Sequence, residues 1–472
     1  MAKKTRLKKG KSGDAAQFIT RSQALRKLKL SLSEFRRLCI LKGIFPKEPK
    51  KFFKGVNKTY YTKKDINFLS NEKLLKKFME MKTYDKKILK AKMKKEKYDQ
   101  QKLIENKPTY NLNHIIKERY PKFTDAIQDL DDCLSLVSIF ANLPKFDALK
   151  ISEQKTILSQ KLLREFYLYT AISQSFRKGF LSIKGIYLST EILGNKVTWL
   201  CPFNHPQKIA YDVDYDIMSS FLELYLTLLK FVNIKLFKEI GIAYPPPEEN
   251  SDLVLFGFNS LEIRAFQEKY KNMHQDALIK TKEEINVQSE EWKKIVEKEE
   301  ENKKINNLFK DYIFYISREV NKEIFGLIIL SCGGVYGDDS DSSAFKEDDK
   351  RITHYIVDKP KEFIEIRKNK EYVQPQWIFD CVNKRTILPV GNYAPDKKLP
   401  PHISPFYEVD DEGKYIYENE EEEIKETNEN KTTTDNNKEV KDLREMMLSN
   451  NKKKLLKKIR EEQLKKKKKT NK

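Results

Sequence analysis

Residues 312–384 alternate short apolar runs with helical runs, and this alternation constrains the fold more than any other feature of the chain. Three runs have the length and composition of buried strands: YIFYIS (312–317), THYIVD (353–358) and EYV (371–373). Two helices are predicted between and after them, in NKEIFGLIILSCGG and QPQWIFDCVNKR. Gly333-Gly334 ends the first helix, and Pro375 stands in the first turn of the second. Strands that alternate with helices predict a parallel sheet covered on both faces.

Trp377 and Cys381 lie one turn apart on the second of these helices and face the same way. A nucleophilic cysteine needs a neighbouring base or a lowered pKa. His354 and His402 are the nearest histidines in sequence, and no spacing ties either of them to Cys381. A large indole beside a small thiol makes a good core pair. We therefore predict that both residues pack in a core and take no part in catalysis.

Residues 1–275 are predicted to form an α-rich unit. In SLSEFRRLCILKGIFP, Ser31 and Glu34 have capping-box spacing, and Gly43 and Pro46 stop the helix. One long helix is predicted from Thr62, with a lysine-rich second half, and another helix from about Phe123, which Pro144 ends. The run YDIMSSFLELYLTLLKFVNIKLFKEIGIAYPPP predicts a largely buried helix ended by the prolines at 245–247.

A small β element interrupts this helical pattern. In GFLSIKGIYLSTEILGNKVTWLCPF the apolar residues alternate with polar ones, and Gly194-Asn195 separates two strand-like runs. This spacing predicts a β-hairpin or small sheet.

The division of the chain follows from shifts in composition. We expect an N-terminal domain over residues 1–275, a charged helical linker over 276–306, an α/β domain over 307–406, and an acidic, then basic tail over 407–472. The length allows each domain a hydrophobic core of its own.

The charge balance favours a polyanionic partner. Lysine and arginine number 92 against 70 aspartate and glutamate, a formal net charge of +22. Neutralised phosphates release counterions, so nucleic acid fits this surplus; an anionic membrane surface or a merely basic soluble protein are the alternatives. No run approaches the 20 continuous apolar residues of a membrane span. The lysine-rich N-terminus lacks the apolar core of a signal peptide. The five scattered cysteines suit reduced thiols in cytosol or nucleus.

Phosphate contacts are expected from clustered basic side chains in the N-terminal domain. Arg36, Arg37 and Lys42 lie off the apolar stripe of their helix, on a predicted exposed basic face that either meets phosphates or is merely solvated. The candidate RNA-binding residues are Lys8, Lys9, Arg36, Arg37, Lys42, Lys50, Lys51, Lys86, Lys87, Arg119 and Lys122.

Catalytic and metal-binding patterns are not found. No P-loop, dinucleotide fingerprint or H-E-x-x-H motif is present. Asp129, Asp131 and Asp132 spread around a helix, which favours a solvated face. Cys201 and His205 have a spacing that suits a metal but lack a second ligand pair. We predict a protein that is not an enzyme and has no cofactor or metal.

The order of these features resembles known families. Gly-Gly after the first helix and W-x-x-x-C on the last resemble a BRCT domain, a module that binds proteins and phosphopeptides, over residues 307–400. Four further stretches are similar to the pescadillo family: GDAAQFITRSQALRKLKLSLSEFRRLCILKGIFP, KERYPKFTDAIQDLDDCLS, FLSIKGIYLSTEILGNKVTWLCPF and YVQPQWIFDCVN. The resemblance covers the chain to about residue 407.

The resemblance implies a nucleolar and nucleoplasmic assembly factor of the large ribosomal subunit. It implies as partners the large-subunit precursor rRNA, whose processing the family supports, two WD40-repeat proteins in a PeBoW-type complex, and other pre-ribosomal proteins. No membrane partner is implied. The alternative is a nuclear BRCT adaptor that reads phosphorylated proteins in chromatin or DNA-damage signalling.

Individual residues inherit roles from this resemblance. Gly333, Gly334, Trp377 and Cys381 match framework positions of the BRCT domain. Ser317 stands where phosphate-binding BRCT domains place a hydroxyl donor. The Ser/Thr-x-Lys triplet that such domains also use is missing from KPKEFIEIRKNKE, residues 359–371. Docking of protein or RNA is therefore favoured over phosphopeptide reading.

Overall fold

The computed structural model describes most of residues 14–406 and two short strands beyond them. The described ranges are 14–49, 58–144, 152–203, 213–246, 258–284, 300–340, 343–360, 362, 370–406, 408–409 and 415–416, with the backbone alone for 14–15, 273–284 and the last two ranges. Lys8, Lys9, Lys50, Lys51 and His205 lie outside these ranges, as does most of the expected tail.

The N-terminal part is helical, as the sequence predicts. Its helices are α1 (Arg21–Leu28), α2 (Leu32–Lys42), α3 (Lys63–Ser70), α4 (Lys73–Lys94), α5 (Lys97–Glu105), α6 (Asn113–Arg119), α7 (Phe123–Gln128), α8 (Leu130–Asn142), α9 (Glu153–Ser173), α10 (Tyr215–Ile240) and α11 (Ser260–Glu284). Two short strands, β1 (Phe18–Thr20) and β2 (Tyr60–Thr62), pair antiparallel near the start.

Helix α2 confirms the predicted capping box. The backbone N–H of Glu34 donates to the Ser31 hydroxyl, and the Ser31 N–H donates to the Glu34 carboxylate at 2.7 Å. At the other end Gly43 takes a φ of +66°, a left-handed conformation that glycine adopts without strain.

Three predicted helix bounds are wrong, for local reasons. Thr62 does start a helix, but this helix ends at Ser70. The Glu72 carboxylate accepts the Lys73 N–H and so caps a second helix. The predicted helix from Phe123 likewise divides at Asp129 into α7 and α8. Helix α10 ends at Ile240 rather than at the prolines, because Gly241 closes it with a φ of +76°.

Helix α10 corrects the expectation that no stretch approaches the apolar length of a membrane span. By length and hydropathy it is the one helix in the described residues that could cross a membrane. A single such helix is weak evidence for a membrane span, because the core helix of a soluble protein can have the same length and hydropathy. Here it packs against α2, α8 and α9, with Leu222, Leu229 and Leu236 fully buried. Burial against other helices explains its composition.

The predicted β element is a three-stranded antiparallel meander of β3 (Phe176–Ser182), β4 (Gly185–Ile192) and β5 (Asn195–Cys201). Gly194, with a φ of +80°, makes the turn between β4 and β5 that the sequence predicts. Helices α7 and α8 pack on β5, and β3 is left as an edge of this sheet.

The C-terminal α/β part confirms the predicted parallel sheet. Strands β6 (Ile313–Ile316), β7 (Val335–Gly337), β8 (His354–Ile356) and β9 (Glu371–Val373) are all parallel, in the order β7-β6-β8-β9. Helices α12 (Lys322–Ser331) and α13 (Gln376–Lys384) share a core with Phe314 and Ile316. Phe345 and Ile352 pack with Tyr315 and Tyr355 of the opposite face.

One hydrophobic core cluster joins the two parts. Helix α12 packs on α9, and both helices belong to the same cluster of buried side chains. The buried Gln267 amide of α11 donates to the carbonyls of Ala171 and Leu330, each at 2.8 Å, and so bridges both parts. Residues up to Phe406 accordingly form one compact unit.

Helix α13 closes the edge of the three-stranded sheet. The Asn383 side chain donates to the Gly179 carbonyl at 2.8 Å and accepts the Gly179 N–H at 3.2 Å, as a neighbouring strand would. A Cβ atom on Gly179 would lie 2.6 Å from the Phe379 ring, so the glycine permits this close approach. The α/β part therefore supplies the missing edge partner of β3.

A buried aspartate strengthens the same contact. The His402 Nε2 accepts the Leu181 N–H at 2.9 Å, which leaves its proton on Nδ1 to donate to Asp380 at 2.6 Å. Gln376 and Tyr393 donate to the other Asp380 oxygen. Burial by itself raises the pKa of this carboxyl, but the three hydrogen bonds outweigh burial and lower its pKa below the usual value.

Replacement of Trp377 tests the shared core. Trp377 is fully buried and stacks on Phe309 and His354, so we expect Trp377→Ala to lower the free energy of unfolding by about 3–5 kcal/mol. Because α12 packs on α9, the loss should increase amide hydrogen exchange in α9 as well as in the α/β part. Hydrogen exchange and calorimetry on the full chain measure both effects.

The exposed Tyr98 provides the matched control, since Tyr98→Ala should change stability by less than about 0.5 kcal/mol. Two separate melting transitions, with α9 protected as in the wild type, would contradict the shared core.

Replacement of Asp380 tests the buried carboxylate. A carboxyl with a lowered folded-state pKa adds stability above its unfolded pKa of about 3.9, and this stability is lost as pH falls through the folded value. We expect urea denaturation between pH 7 and pH 3 to show a smaller acid loss in Asp380→Asn than in the wild type. Equal pH slopes in the two proteins would show that Asp380 adds no pH-dependent stability.

Candidate functional site

Helices α4 and α5 form a helical hairpin with a solvated outer surface. The second half of α4 packs along α5, and the Tyr84 hydroxyl donates to the Leu103 carbonyl at 2.7 Å. Ala91 is buried in this half of α4, whereas no residue of α5 is buried. With a rise of 1.5 Å per residue, α4 is about 33 Å long.

Lysines dominate the outer surface of this hairpin. We call residues 82–97 the basic arm; its exposed lysines are Lys82, Lys86, Lys87, Lys90, Lys92, Lys94, Lys95 and Lys97. Lys94 lies 3.4 Å from Glu96. Among the described residues, neither Lys86 nor Lys87 has an ion pair within 4 Å. Apart from Lys94, the lysines of the arm have no ion pair within 4 Å among the described residues, so most of its positive charge is not neutralised there.

Other predicted RNA-binding residues differ in how their charge is used. Arg36 is exposed, as predicted, and the candidate Lys122 is exposed as well. Arg119 packs its guanidinium over the Tyr120 ring and lies 3.8 Å from the Asp129 carboxylate.

Arg37 takes part in an internal network rather than in a free surface. Its guanidinium donates to the Tyr110 hydroxyl and to Glu223, whose other oxygen lies 2.8 Å from the Lys155 ammonium. The network borders a cleft of about 370 Å³ that also contains Asp214. Two cations on one carboxylate hold α2, α9 and α10 together.

The expected exposure of Lys42 is wrong. Its side chain is 4% exposed and contacts the carboxylates of Glu72 and Glu118, the latter at 2.6 Å. His114 lies 2.9 Å from Glu72. Burial raises the pKa of Glu72, but the hydrogen bonds from Lys42 and His114 outweigh burial and lower it below the usual range. No local sequence pattern could have shown this, since the partners are 30 and 76 positions away.

Ser317 lies at the carboxyl end of β6, next to the carboxyl end of β8. Connections leave β6 and β8 in opposite directions in this sheet, and such switch points form the ligand crevice of open parallel sheets. The Ser317 hydroxyl donates to Glu319 at 2.8 Å, and the Asp358 N–H donates to the same carboxylate at 3.4 Å. The Lys359 ammonium lies 3.7 Å from the Glu319 carboxylate. The chain's own carboxylate therefore occupies the group of donors around Ser317.

A cavity of about 540 Å³ lies beside this cluster, between the two parts of the compact unit. Its lining combines polar residues with apolar ones, which include Leu181 and Phe203 from the N-terminal part and Val320, Phe325 and Leu399 from the α/β part. Arg318 and Glu319 lie among its polar lining residues.

The four framework residues have structural contacts. Gly333 has a φ of +83°, and a Cβ atom there would lie 2.5 Å from the Asn306 carbonyl oxygen. A Cβ atom on Gly334 would lie 2.8 Å from the Ile329 side chain. The Trp377 indole donates to the Leu388 carbonyl at 3.0 Å, and the Leu388 N–H donates to the Cys381 sulfur at 3.3 Å.

The thiols lack the environment of nucleophiles. All five cysteines are free and buried, and burial raises the pKa of Cys381 to about 12 and that of Cys201 to about 11. Asp131 accepts the Thr198 N–H at 3.0 Å, a structural contact. Within the described ranges, no group of three or more His, Cys, Asp and Glu side chains is placed to hold a metal ion.

Comparison with known families assigns most of the chain. Residues 8–279 match the family model described as the pescadillo N-terminus. Residues 307–394 match the model of the BRCT domain.

Curated relatives match most of the chain. The chain is 41% identical to a pescadillo homolog of Arabidopsis thaliana, over 86% of this chain and 73% of the relative. It is 41% identical to a pescadillo homolog of Caenorhabditis elegans, over 84% of this chain and 75% of the relative. A pescadillo homolog of Scheffersomyces stipitis is 39% identical, over 89% of this chain and 78% of the relative. This chain, with its α-rich N-terminal region and its parallel-sheet BRCT domain, therefore belongs to the pescadillo family.

Proposed function

We propose that this protein is a non-enzymatic scaffold in the biogenesis of the large (60S) ribosomal subunit. It acts in the nucleolus and nucleoplasm, supports maturation of the large-subunit precursor rRNA, and contacts that RNA through its basic segments. Two WD40-repeat proteins, in a PeBoW-type complex, and other pre-ribosomal proteins are its partners. Family membership supports this role.

The observation that carries the RNA contact is the basic arm. Lys86, Lys90 and Lys94 are exposed at intervals of four residues, about 6 Å along the helix axis. Ammonium groups in such a row release counterions when they neutralise phosphates, and they read no sequence. This suits a scaffold that follows an RNA backbone.

The adaptor alternative is less well supported by the site around Ser317. A phosphorylated peptide would have to displace Glu319 from the Ser317 hydroxyl and the Asp358 N–H. The contact of Glu319 with Ser317 is made within one loop, so it costs little chain entropy compared with the contact of a separate ligand.

The RNA contact is tested by neutralising the arm. We expect Lys86→Gln, Lys87→Gln, Lys90→Gln and Lys94→Gln together to weaken binding about equally for RNAs of different sequence. The slope of log K against log salt should fall by about 3 for a single strand, if each lysine contacts one phosphate. In cells, crosslinking followed by sequencing should give fewer reads in the large-subunit precursor rRNA.

Lys42→Gln is the matched control, because Lys42 is internally paired. It should lower the free energy of unfolding by about 3 kcal/mol and leave the salt slope unchanged. Salt-insensitive binding by the wild type, or crosslinks scattered over all transcripts, would refute the rRNA contact.

The site around Ser317 generates a separate prediction. On paired phosphorylated and unphosphorylated peptides, the wild type and Ser317→Ala should show the same lack of phosphate dependence. Glu319→Ala frees the hydroxyl, the Asp358 N–H and Lys359, so this variant should gain phosphate-dependent binding. Phosphate-dependent binding by the wild type that Ser317→Ala abolishes would instead favour the adaptor.

A further inference from the structure

One face of α4 exposes large apolar side chains. Met79 is 37% exposed, Leu89 57% and Met93 76%. At 100° per residue these three side chains lie within a sector of about 80° around the helix axis. We call this surface, from Met79 to Met93, the 79–93 face.

The 79–93 face points away from the contacts that hold the second half of α4. The second half of the helix meets α5 through the side of Tyr84, Ile88 and Ala91, which are buried or half-buried. The centre of that side is about 180° from the centre of the 79–93 face. The exposed apolar residues therefore do not contribute to the packing of α4 on α5.

Lysines share this face with the apolar residues. Lys82 and Lys86 fall in the same sector, are exposed, and have no ion pair within 4 Å among the described residues. The nearest acidic side chains of α4, Glu80 and Asp85, project from other sides of the helix, about 140° and 80° from the centre of the face. The face combines apolar contacts with unneutralised positive charge.

The spacing of the five residues is that of a helix–helix seam. Met79, Lys82, Lys86, Leu89 and Met93 follow one another at intervals of three, four, three and four residues, the repeat of a and d positions in coiled coils. The face is about 21 Å long, which matches three to four helical turns of a partner.

We infer that the 79–93 face docks an acidic amphipathic helix of a partner protein. Apolar side chains of that helix pack on Met79 at one end and on Leu89 and Met93 at the other. Carboxylates between them pair with the ammonium groups of Lys82 and Lys86. A phosphate backbone would contact the lysines but would gain nothing from Met79, Leu89 and Met93, and the face offers no aromatic ring on which a base could stack.

This inference shares only Lys86 with the proposed rRNA contact. Lys87, Lys90 and Lys94 lie outside the 79–93 face, about 120°, 60° and 100° from its centre, so an RNA backbone and a partner helix can use different sides of the basic arm.

Site-specific photocrosslinking in cells tests the inference on the full chain. The photoreactive residue p-benzoylphenylalanine is incorporated in place of Met93 and, as the matched control, in place of Lys87. We expect position 93 to crosslink a peptide of another protein in which apolar residues flank at least two carboxylates at helical spacing. Position 87 should not crosslink that peptide. Crosslinks at position 93 to RNA, to this chain itself or to a segment without that pattern, or no crosslink, would overturn the inference.

Binding of the crosslinked segment, made as a labelled synthetic peptide, separates the apolar from the charged contribution. The variant Met79→Ser, Leu89→Ser, Met93→Ser should bind it at least tenfold more weakly and bind RNA within twofold of the wild type. It should also fold normally, because these side chains are exposed. The variant Lys82→Gln, Lys86→Gln should lose peptide affinity that depends on salt. Unchanged peptide binding by the apolar variant would show that no helix docks through this face.

Discussion

The packing of α13 on strand β3 is the interaction on which the rest of this structure depends. Strand β3 is an edge of its sheet, and the Asn383 amide satisfies the Gly179 backbone groups that an edge leaves open. Phe379 can pack there because position 179 has no Cβ. Asp380, through His402, adds a buried polar link to the next residues of the same strand. The BRCT domain is therefore held as part of one core with the N-terminal region, and it presents only its remaining surfaces to partners.

Two kinds of basic residue follow from this core. Lys42 and Arg37 lie where helices converge, so their charges pair with Glu72 and Glu223 and stabilise the fold. The lysines of the basic arm lie on the hairpin of α4 and α5, away from this convergence, and apart from Lys94 they have no ion pair within 4 Å among the described residues. The Ser317 hydroxyl is likewise not a free donor, because it donates a hydrogen bond to Glu319, two residues away in the same loop.

Much of the fold could be predicted from local chemistry. The capping box of Ser31 and Glu34, the Gly194 turn and the parallel direction of the BRCT strands follow from residues close together in the chain. Trp377 and Cys381 were predicted as core residues from helical spacing, and both are fully buried. The predicted long helix from Thr62 is wrong because Glu72, whose carboxylate pairs with Lys42 and His114, caps a new helix.

The sequence by itself determined the family, the surplus of positive charge and most of the helices and strands. Those elements could be predicted because periodicity, capping and turn residues act over a few positions. Only the tertiary structure decided which cations are free, whether the two domains share a core, and which face of α4 stays exposed. These depend on side chains tens to hundreds of positions apart, such as Lys42 with Glu118 and Gly179 with Asn383. Whether a charge is neutralised or a glycine is covered depends on the element that packs against it, and no local pattern contains that information.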